Sequence, residues 1–174
     1  IDFKNLFASW FNRGFLVLRP INWSSPAHIL EKIITYESVH EIENWDDLRR
    51  RMQPEDRRCF AFFHPAMPDE PLIFVQVALT KGTPSSIQTI LLESRDLINP
   101  GNADTAAFYS ISNCQRGLDG ISFGNYLIKD VVRYIQAEIP SIKEFFTLSP
   151  VPGFMEWMKI NNNDFYIDLN SNLS

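Results

Sequence analysis

Apolar positions along the chain change period several times, and each change marks an element. Phe3, Leu6, Phe7 and Trp10 recur at helical spacing, Gly14 interrupts them, and Phe15 to Leu18 reads as a short strand. Ser24-Ser25-Pro26 then predicts a helix start, with a serine cap and a proline at the first helical position; Ile29, Leu30, Ile33 and Ile34 give that helix one apolar face ending near Tyr36. Asn44 is expected to cap a second short helix, Trp45 to Met52, with Trp45, Leu48 and Met52 inward and Arg49-Arg50-Arg51 on a solvated face. Arg58 to Phe63 and Leu72 to Leu79 are the clearest strands, and the three prolines between His64 and Pro71 demand a loop or hairpin turn there. Ile87 to Leu92 fits a strand or one helical turn, Ser94 to Asp104 a flexible loop, and Ala106 to Ser112 a strand. From Gly124 to Ile139 the period is again helical, with Leu127, Ile128, Val131, Val132, Ile135 and Ile139 inward and Pro140 as the stop. Glu144 to Leu148 is expected as a strand and Phe154 to Ile160 as a short helix, before an asparagine-rich end with little to bury.

Composition narrows what such a chain can be. Its 174 residues are 45% hydrophobic, enough for one well-packed domain and too apolar for a disordered chain. Sixteen basic residues stand against 21 acidic ones, a net charge of -5 that argues against a general nucleic-acid binder, which needs a basic face. Two cysteines, Cys59 and Cys114, and three scattered histidines, His28, His40 and His64, give neither a disulfide scaffold nor metal-ligand spacing, so no metal site is expected. No apolar run approaches the roughly 18 residues of a membrane span, and no membrane partner is expected. The sequence opens at Ile1 rather than Met, the mark expected of a processed protein or a piece of a longer one.

Chemistry concentrates between Phe108 and Phe154, which read strand, glycine-rich loop, helix, strand, turn. Gly117, Gly120 and Gly124 let the loop turn tightly and approach a ligand, and the helix that follows begins with free N–H groups and the positive end of its dipole. That combination suits a pyrophosphate, yet it matches neither the Rossmann fingerprint nor the P-loop, which ends in Gly-Lys-Ser/Thr. The alternative is a tight turn whose glycines only solve a backbone problem. In Thr147-Leu-Ser-Pro-Val-Pro-Gly-Phe154, a serine at a strand end is held by a rigid turn; it either faces a ligand crevice or bonds its local backbone.

Taken together, Phe108-Tyr-Ser-Ile-Ser112, Gln115-Arg-Gly-Leu118, Gly120, Gly124, Leu127-Ile-Lys129, Val131-Val132 and Leu148-Ser-Pro-Val-Pro-Gly-Phe154 closely resemble malonyl-CoA decarboxylase. Upstream, Trp10-Phe11, Gly14-Phe15-Leu16, Trp23, Ser25-Pro26, Val39-His40, Asn44-Trp45, Arg49-Arg50, Glu70-Pro71-Leu72 and Val77-Ala-Leu-Thr80 extend the resemblance in order over nearly the whole chain. It implies an α+β fold, a mixed and mostly antiparallel sheet flanked by helices, of the GNAT (acyl-CoA N-acetyltransferase) type and incomplete in this chain. Residues 1–13 would then be the end of a preceding helical domain or a linker, and 14–174 part of the catalytic domain. The implied reaction turns malonyl-CoA into acetyl-CoA and carbon dioxide without metal or biotin; CoA is part of the substrate and no separate cofactor is expected.

By the same resemblance Ser149 matches the family's catalytic serine, and Asp119, Gly120, Ile121, Ser122, Phe123, Gly124 and Asn125 match its CoA-binding loop. Ser122 stands where some members have glutamate, so that glutamate's role is not carried over. Valine at 124 is expected to crowd the phosphate. The family's catalytic histidine lies in a segment this chain lacks, so the chain alone is expected not to decarboxylate. His64, at a strand end, is the only local stand-in and reads better as a structural residue. Cys59 and Cys114 are expected reduced and at least partly buried, and Asp69-Glu70 solvated in their proline-rich loop. The resemblance further implies a homo-oligomer in the intact protein and a cytoplasmic location, mitochondrial or peroxisomal in a eukaryote. A GNAT-fold acyltransferase and a non-catalytic CoA-binding remnant are the competing readings.

Overall fold

The computed structural model describes residues 6, 9–11, 13–118 and 123–161. Five strands, β1 (Val17–Ile21), β2 (Arg57–His64), β3 (Met67–Thr80), β4 (Thr105–Asn113) and β5 (Glu144–Thr147), form one sheet in sequence order. The first four pair antiparallel, and β5 pairs parallel to β4. Around it lie helices α1 (Ala27–Tyr36), α2 (Trp45–Met52), α3 (Ile87–Leu91), α4 (Gly124–Glu138) and α5 (Phe154–Asn161), with short 3-10 turns between elements. The expected mixed, mostly antiparallel sheet flanked by helices is therefore what forms. Among the described residues no helix is long and apolar enough to cross a membrane.

The central strands are covered on both faces, which is why β2 and β3 read as nearly continuous apolar runs rather than alternating ones. On one face Phe60, Phe62, Ile73, Val75, Val77, Leu79, Ala106 and Phe108 receive Leu127, Val131 and Ile135 of α4. On the other, Cys59, Ala61, Phe63 and Phe74 receive Ile29, Leu30 and Ile33 of α1 with Leu48 and Met52 of α2. Farther along that face Ala78, Ala107 and Tyr109 meet Ile90 of α3. Ile128, Val132 and Ile139 also reach the α4 core, so the whole predicted stripe is inward. Both cysteines are buried and free.

Several sequence expectations shift, each for a local reason. The first strand starts at Val17, after a 3-10 turn over Arg13–Phe15, and runs through Pro20 at the sheet edge, where a missing N–H costs least. Ser25 does not cap α1: its hydroxyl accepts from Asn22 N at 3.0 Å, and Pro26 occupies the cap position. Asn44 does cap α2, accepting from Asp47 N at 2.9 Å, but Trp45 stays exposed. Arg51 is buried instead of solvated, because the Asp47 carboxylate grips it from the preceding turn and the carbonyls of His40 and Glu41 accept its remaining N–H groups. Residues 87–91 resolve as helix, with Ser86 accepting from Thr89 N. The turn after β2 is shorter than its prolines suggest. His64 already pairs with Met67, and two register shifts let Pro68 and Pro71 lie within β3, at irregularities where proline is tolerated.

Because Leu127 is fully buried against the sheet, Leu127→Ala is expected to destabilise the fold by about 2–5 kcal/mol. Denaturant unfolding checks it; a loss below about 1 kcal/mol would mean that α4 is held elsewhere.

Candidate active site

The chemistry suggested by the sequence falls where β4 and β5 part. Their parallel pairing runs from Thr105↔Glu144 to Phe108↔Thr147, followed by one further bond from Leu148 N to Phe108 O at 2.8 Å. Strand β4 then continues to Asn113, paired with β3 alone. The pairing with β3 slips here as well: Val77 faces Phe108 and Gln76 faces Ser110, leaving Tyr109 as the extra residue of a β-bulge. From Tyr109 onward, no strand of the described residues lies against the β4 edge that had faced β5. Both strands run the same way, so the chain leaving β4 and the chain leaving β5 emerge at one end of the sheet. Crevices at such carboxyl ends are where open α/β-type sheets receive ligands.

Ser149 stands at this end, two residues past β5, and is exposed. No described residue hydrogen-bonds its hydroxyl, so the local-backbone alternative is not what the turn adopts. Pro150 and Pro152 stiffen the turn, and Gly153, at φ 75°, makes a left-handed step that a side chain would resist before α5 begins. Trp157 N then donates to Gly153 O at 2.8 Å, fixing the helix to the turn.

The start of α4 is the second component. Phe123 occupies the cap position without a capping side chain, and its ring is buried, which anchors the loop's end in the core. Of the predicted loop, Asp119, Gly120, Ile121 and Ser122 lie outside the described residues. Phe123 can offer a ligand only its backbone, whereas Asn125 is exposed in the first turn. Gly124 corrects the expectation about valine. A Cβ there would meet Ile73 Cδ1 at 3.9 Å and Ile111 Cγ2 at 4.0 Å, so it faces the sheet and not a ligand beyond the helix start.

Two polar clusters that sequence reasoning missed hold this end in place. Glu70, expected solvated, is half-buried within β3: it takes Lys32 Nζ, Tyr36 OH at 2.7 Å and Gln115 Nε2 at 3.0 Å. The carboxylate so ties α1 to the first residues of the glycine loop. Burial pushes its carboxyl pKa upward, but the bonds from Lys32, Tyr36 and Gln115 outweigh that and hold it below its ordinary value. Glu37, closing α1, accepts from Gln76 Nε2, Ser110 Oγ and Ser112 Oγ on the sheet face, and Gln76 in turn accepts from Tyr109 OH. A signal for the second cluster existed: Gln76 is the one polar residue between Leu72 and Leu79, and Ser110 and Ser112 alternate on one face of β4.

The histidines do not assemble with Ser149. His28 pairs with Asp69 at 3.4 Å. His40 packs beside Tyr109, ring centroids 6.4 Å apart, and burial lowers its pKa. His64 ends β2 and accepts from Ala66 N at 3.1 Å, within an apolar cavity of about 340 Å³ lined by Trp10, Phe11, Phe15 and Met67. Strand β2 lies three places from β5, roughly 14 Å at strand spacing, which removes His64 as a stand-in acid.

A sequence model of the malonyl-CoA decarboxylase C-terminal domain matches residues 14–171. The mitochondrial malonyl-CoA decarboxylase of Anser anser anser is 48% identical over 157 residues, which cover 89% of this chain and 31% of that protein. The corresponding protein of Rattus norvegicus is 41% identical over 157 residues, covering 89% of this chain and 32% of its own length. The solved structure of malonyl-CoA decarboxylase from Agrobacterium vitis superposes with a TM-score of 0.89 at 62% identity, covering 95% of this chain and 40% of that one. The chain thus spans about a third of the length of the curated relatives it matches. An aminoglycoside N-acetyltransferase solved in complex with CoA shares the fold at a TM-score of 0.51 and 11% identity, over 85% of each chain. The fold is accordingly the GNAT type, as expected.

For Glu70 the pH dependence has a definite sign. Its folded pKa lies below the ordinary 4.5, so its contribution is full above about pH 4.5 and is lost as the pH falls through the folded value. Glu70→Gln is expected to lower stability at neutral pH and to flatten the acid loss in that window. Thermal unfolding against pH reads both, and an unchanged acid slope would remove the carboxyl from the network.

Proposed function

Because the chain belongs to the malonyl-CoA decarboxylase family, we propose that it forms the carrier-binding and serine-bearing part of an enzyme that turns malonyl-CoA into acetyl-CoA and carbon dioxide. The observation that carries this reading is the parting of β4 from β5, with the exposed Ser149 turn and the start of α4, where Phe123 offers no capping side chain, at the same sheet end. The open edge of β4 offers unpaired backbone groups to an extended amide-bearing arm such as pantetheine. Loop residues 119–125 and the first N–H groups of α4 receive the pyrophosphate. In this arrangement the thioester is carried toward the strand ends and the malonyl group toward Ser149.

The chemistry asked of the site is limited. Breaking the bond between the carboxylate carbon and carbon two releases carbon dioxide and leaves the electron pair as an enolate shared with the thioester oxygen. The thioester is itself the electron sink, so the step needs fixed donors for that charge and a proton for carbon two. Ser149 Oγ supplies a donor near the carboxylate. The proton comes from the histidine segment that the resemblance places outside this chain. We also read residues 14–174 as part of the catalytic domain, the intact protein as a homo-oligomer, and its compartment as the cytoplasm, or the mitochondrion or peroxisome in a eukaryote.

Two variants of the intact enzyme test the reading. Ser149→Ala is expected to lower turnover on the order of a hundredfold with CoA affinity little changed, because the hydroxyl acts on the reacting group and not on the carrier. Near-normal turnover would reduce Ser149 to a turn residue. Asn125→Asp places a negative charge in the first turn of α4, where it suits the helix dipole but opposes a pyrophosphate. CoA affinity is expected to fall at least tenfold, about 1.4 kcal/mol, with stability unimpaired. Unchanged affinity would move the phosphates elsewhere. Carbon dioxide release measured with and without an amine acceptor separates decarboxylation from acyl transfer.

A further inference from the structure

Glu37 is unusual in both place and company. It occupies the C-terminal cap of α1, where the helix dipole disfavours a carboxylate. Five donor groups offset that. Oε1 lies 2.9 Å from Val39 N, 3.0 Å from His40 N, 2.7 Å from Ser110 Oγ and 3.2 Å from Ser112 Oγ. Oε2 lies 2.7 Å from Gln76 Nε2 and 2.7 Å from the same Ser110 hydroxyl. Ser38 adds a bond from its N–H to Ser112 Oγ at 3.2 Å. The sheet partners Gln76, Ser110 and Ser112 are almost wholly buried.

These contacts converge on the bulge. Tyr109, its extra residue, donates to Gln76 Oε1 at 2.7 Å, and Gln76 donates onward to Glu37. Ser110, the next residue, reaches Glu37 directly. Both bulge residues are thus held by one carboxylate, one step beyond the last β4–β5 pair, Phe108↔Thr147. A bulge bends its strand, and this one falls where β4 and β5 part. We infer that Glu37 is a positioning residue: through Ser110 and the Gln76–Tyr109 relay it fixes the bulge that keeps the crevice between β4 and β5 open for an acyl-CoA arm. Apolar packing alone would not specify this geometry. Regular pairing of β4 with β3 would carry Ser110 and Ser112 to the opposite face, and the half-buried Glu37 carboxylate would lose both as donors. The inference rests on the proposed acyl-CoA reading and adds to it a residue that touches neither carrier nor reacting group.

The test uses the intact protein and acetyl-CoA as the probe. Ser110→Ala and Tyr109→Phe each remove one hydroxyl while keeping the rest of the side chain's bulk, and Glu37→Gln removes the charge. Each is expected to raise the acetyl-CoA Kd and the malonyl-CoA KM at least fivefold, with kcat moving less than twofold. Glu37→Gln and Ser110→Ala combined should fall short of the product of their separate effects, because both act through one bulge. Should Glu37→Gln fail to fold, the two milder variants decide. Wild-type Kd and KM in folded Ser110→Ala and Tyr109→Phe, whatever their melting temperatures, would overturn the inference and leave the network a purely structural one. Failure of the wild-type protein to bind acetyl-CoA would instead overturn the functional reading on which it rests.

Discussion

One interruption of pairing governs this molecule: β5 follows β4 for four residues and then leaves it. Had the two strands stayed together to Asn113, the sheet end would be closed and Ser149 would sit on a regular strand. The parting requires β4 to stand alone on one edge, and a lone edge is ordinarily a liability. Its other edge and both faces are therefore secured. Strand β3 pairs with it throughout, α4 presses Leu127 against one face, and the Glu37 cluster holds the other. The rest of the described fold supports one strand that must be rigid with a strand partner on only one side.

Polar burial is the means by which that rigidity acquires a direction. Apolar contacts are indifferent to small rotations, whereas a carboxylate surrounded by Ser110, Ser112 and Gln76 is satisfied in one register. The same logic recurs at Glu70, where one carboxylate joins α1, β3 and Gln115, and at Arg51, whose N–H groups tie α2 to the chain after α1. The Glu37 and Glu70 clusters bring together segments that are distant in sequence, whereas Arg51 closes a local loop between residues 40 and 51; each lies on the side of the sheet opposite α4 or at its carboxyl end. Helix α4, which carries the loop, is held mainly by apolar packing, while polar bonds fix what surrounds its start.

What the sequence made legible follows from this division. The apolar stripe of α4, the buried strand β2, the Asn44 cap and the Ser149 turn all rest on local patterns, and each lies within a residue or two of where the pattern put it, whereas β3 begins five residues before its expected start because the proline-bearing segment joins the sheet. Long-range polar closure was not legible. Glu70 looked solvated because its prolines suggested a loop, and nothing nearby in sequence announced Lys32 or Gln115 as partners. Arg51 looked solvated because three consecutive arginines cannot all be buried, and composition does not say which one is. The inward aim of a side chain at Gly124 was hidden for the same reason: a glycine signals permissiveness, and only the packing against Ile73 and Ile111 shows which way its missing Cβ would point.

The distribution of side chains also bears on how one fold serves different chemistries. On the proposed reading, holding a CoA-type carrier at this end asks mainly for backbone: a strand edge, the N–H groups of a helix start, and glycines that permit close approach. Backbone conformation tolerates wide change of sequence, as the shared fold at 11% identity and a TM-score of 0.51 shows. Selecting a reaction asks for side chains, and those can be few. In the described residues the exposed candidate is Ser149, set on a proline-stiffened turn that follows a strand but belongs to no regular element. Such a turn can change residue by residue without disturbing the sheet behind it, so the chemistry is separable from the scaffold. Glu37 stands between the two categories. It touches no ligand, yet the geometry it fixes decides whether the backbone groups of β4 are available at all.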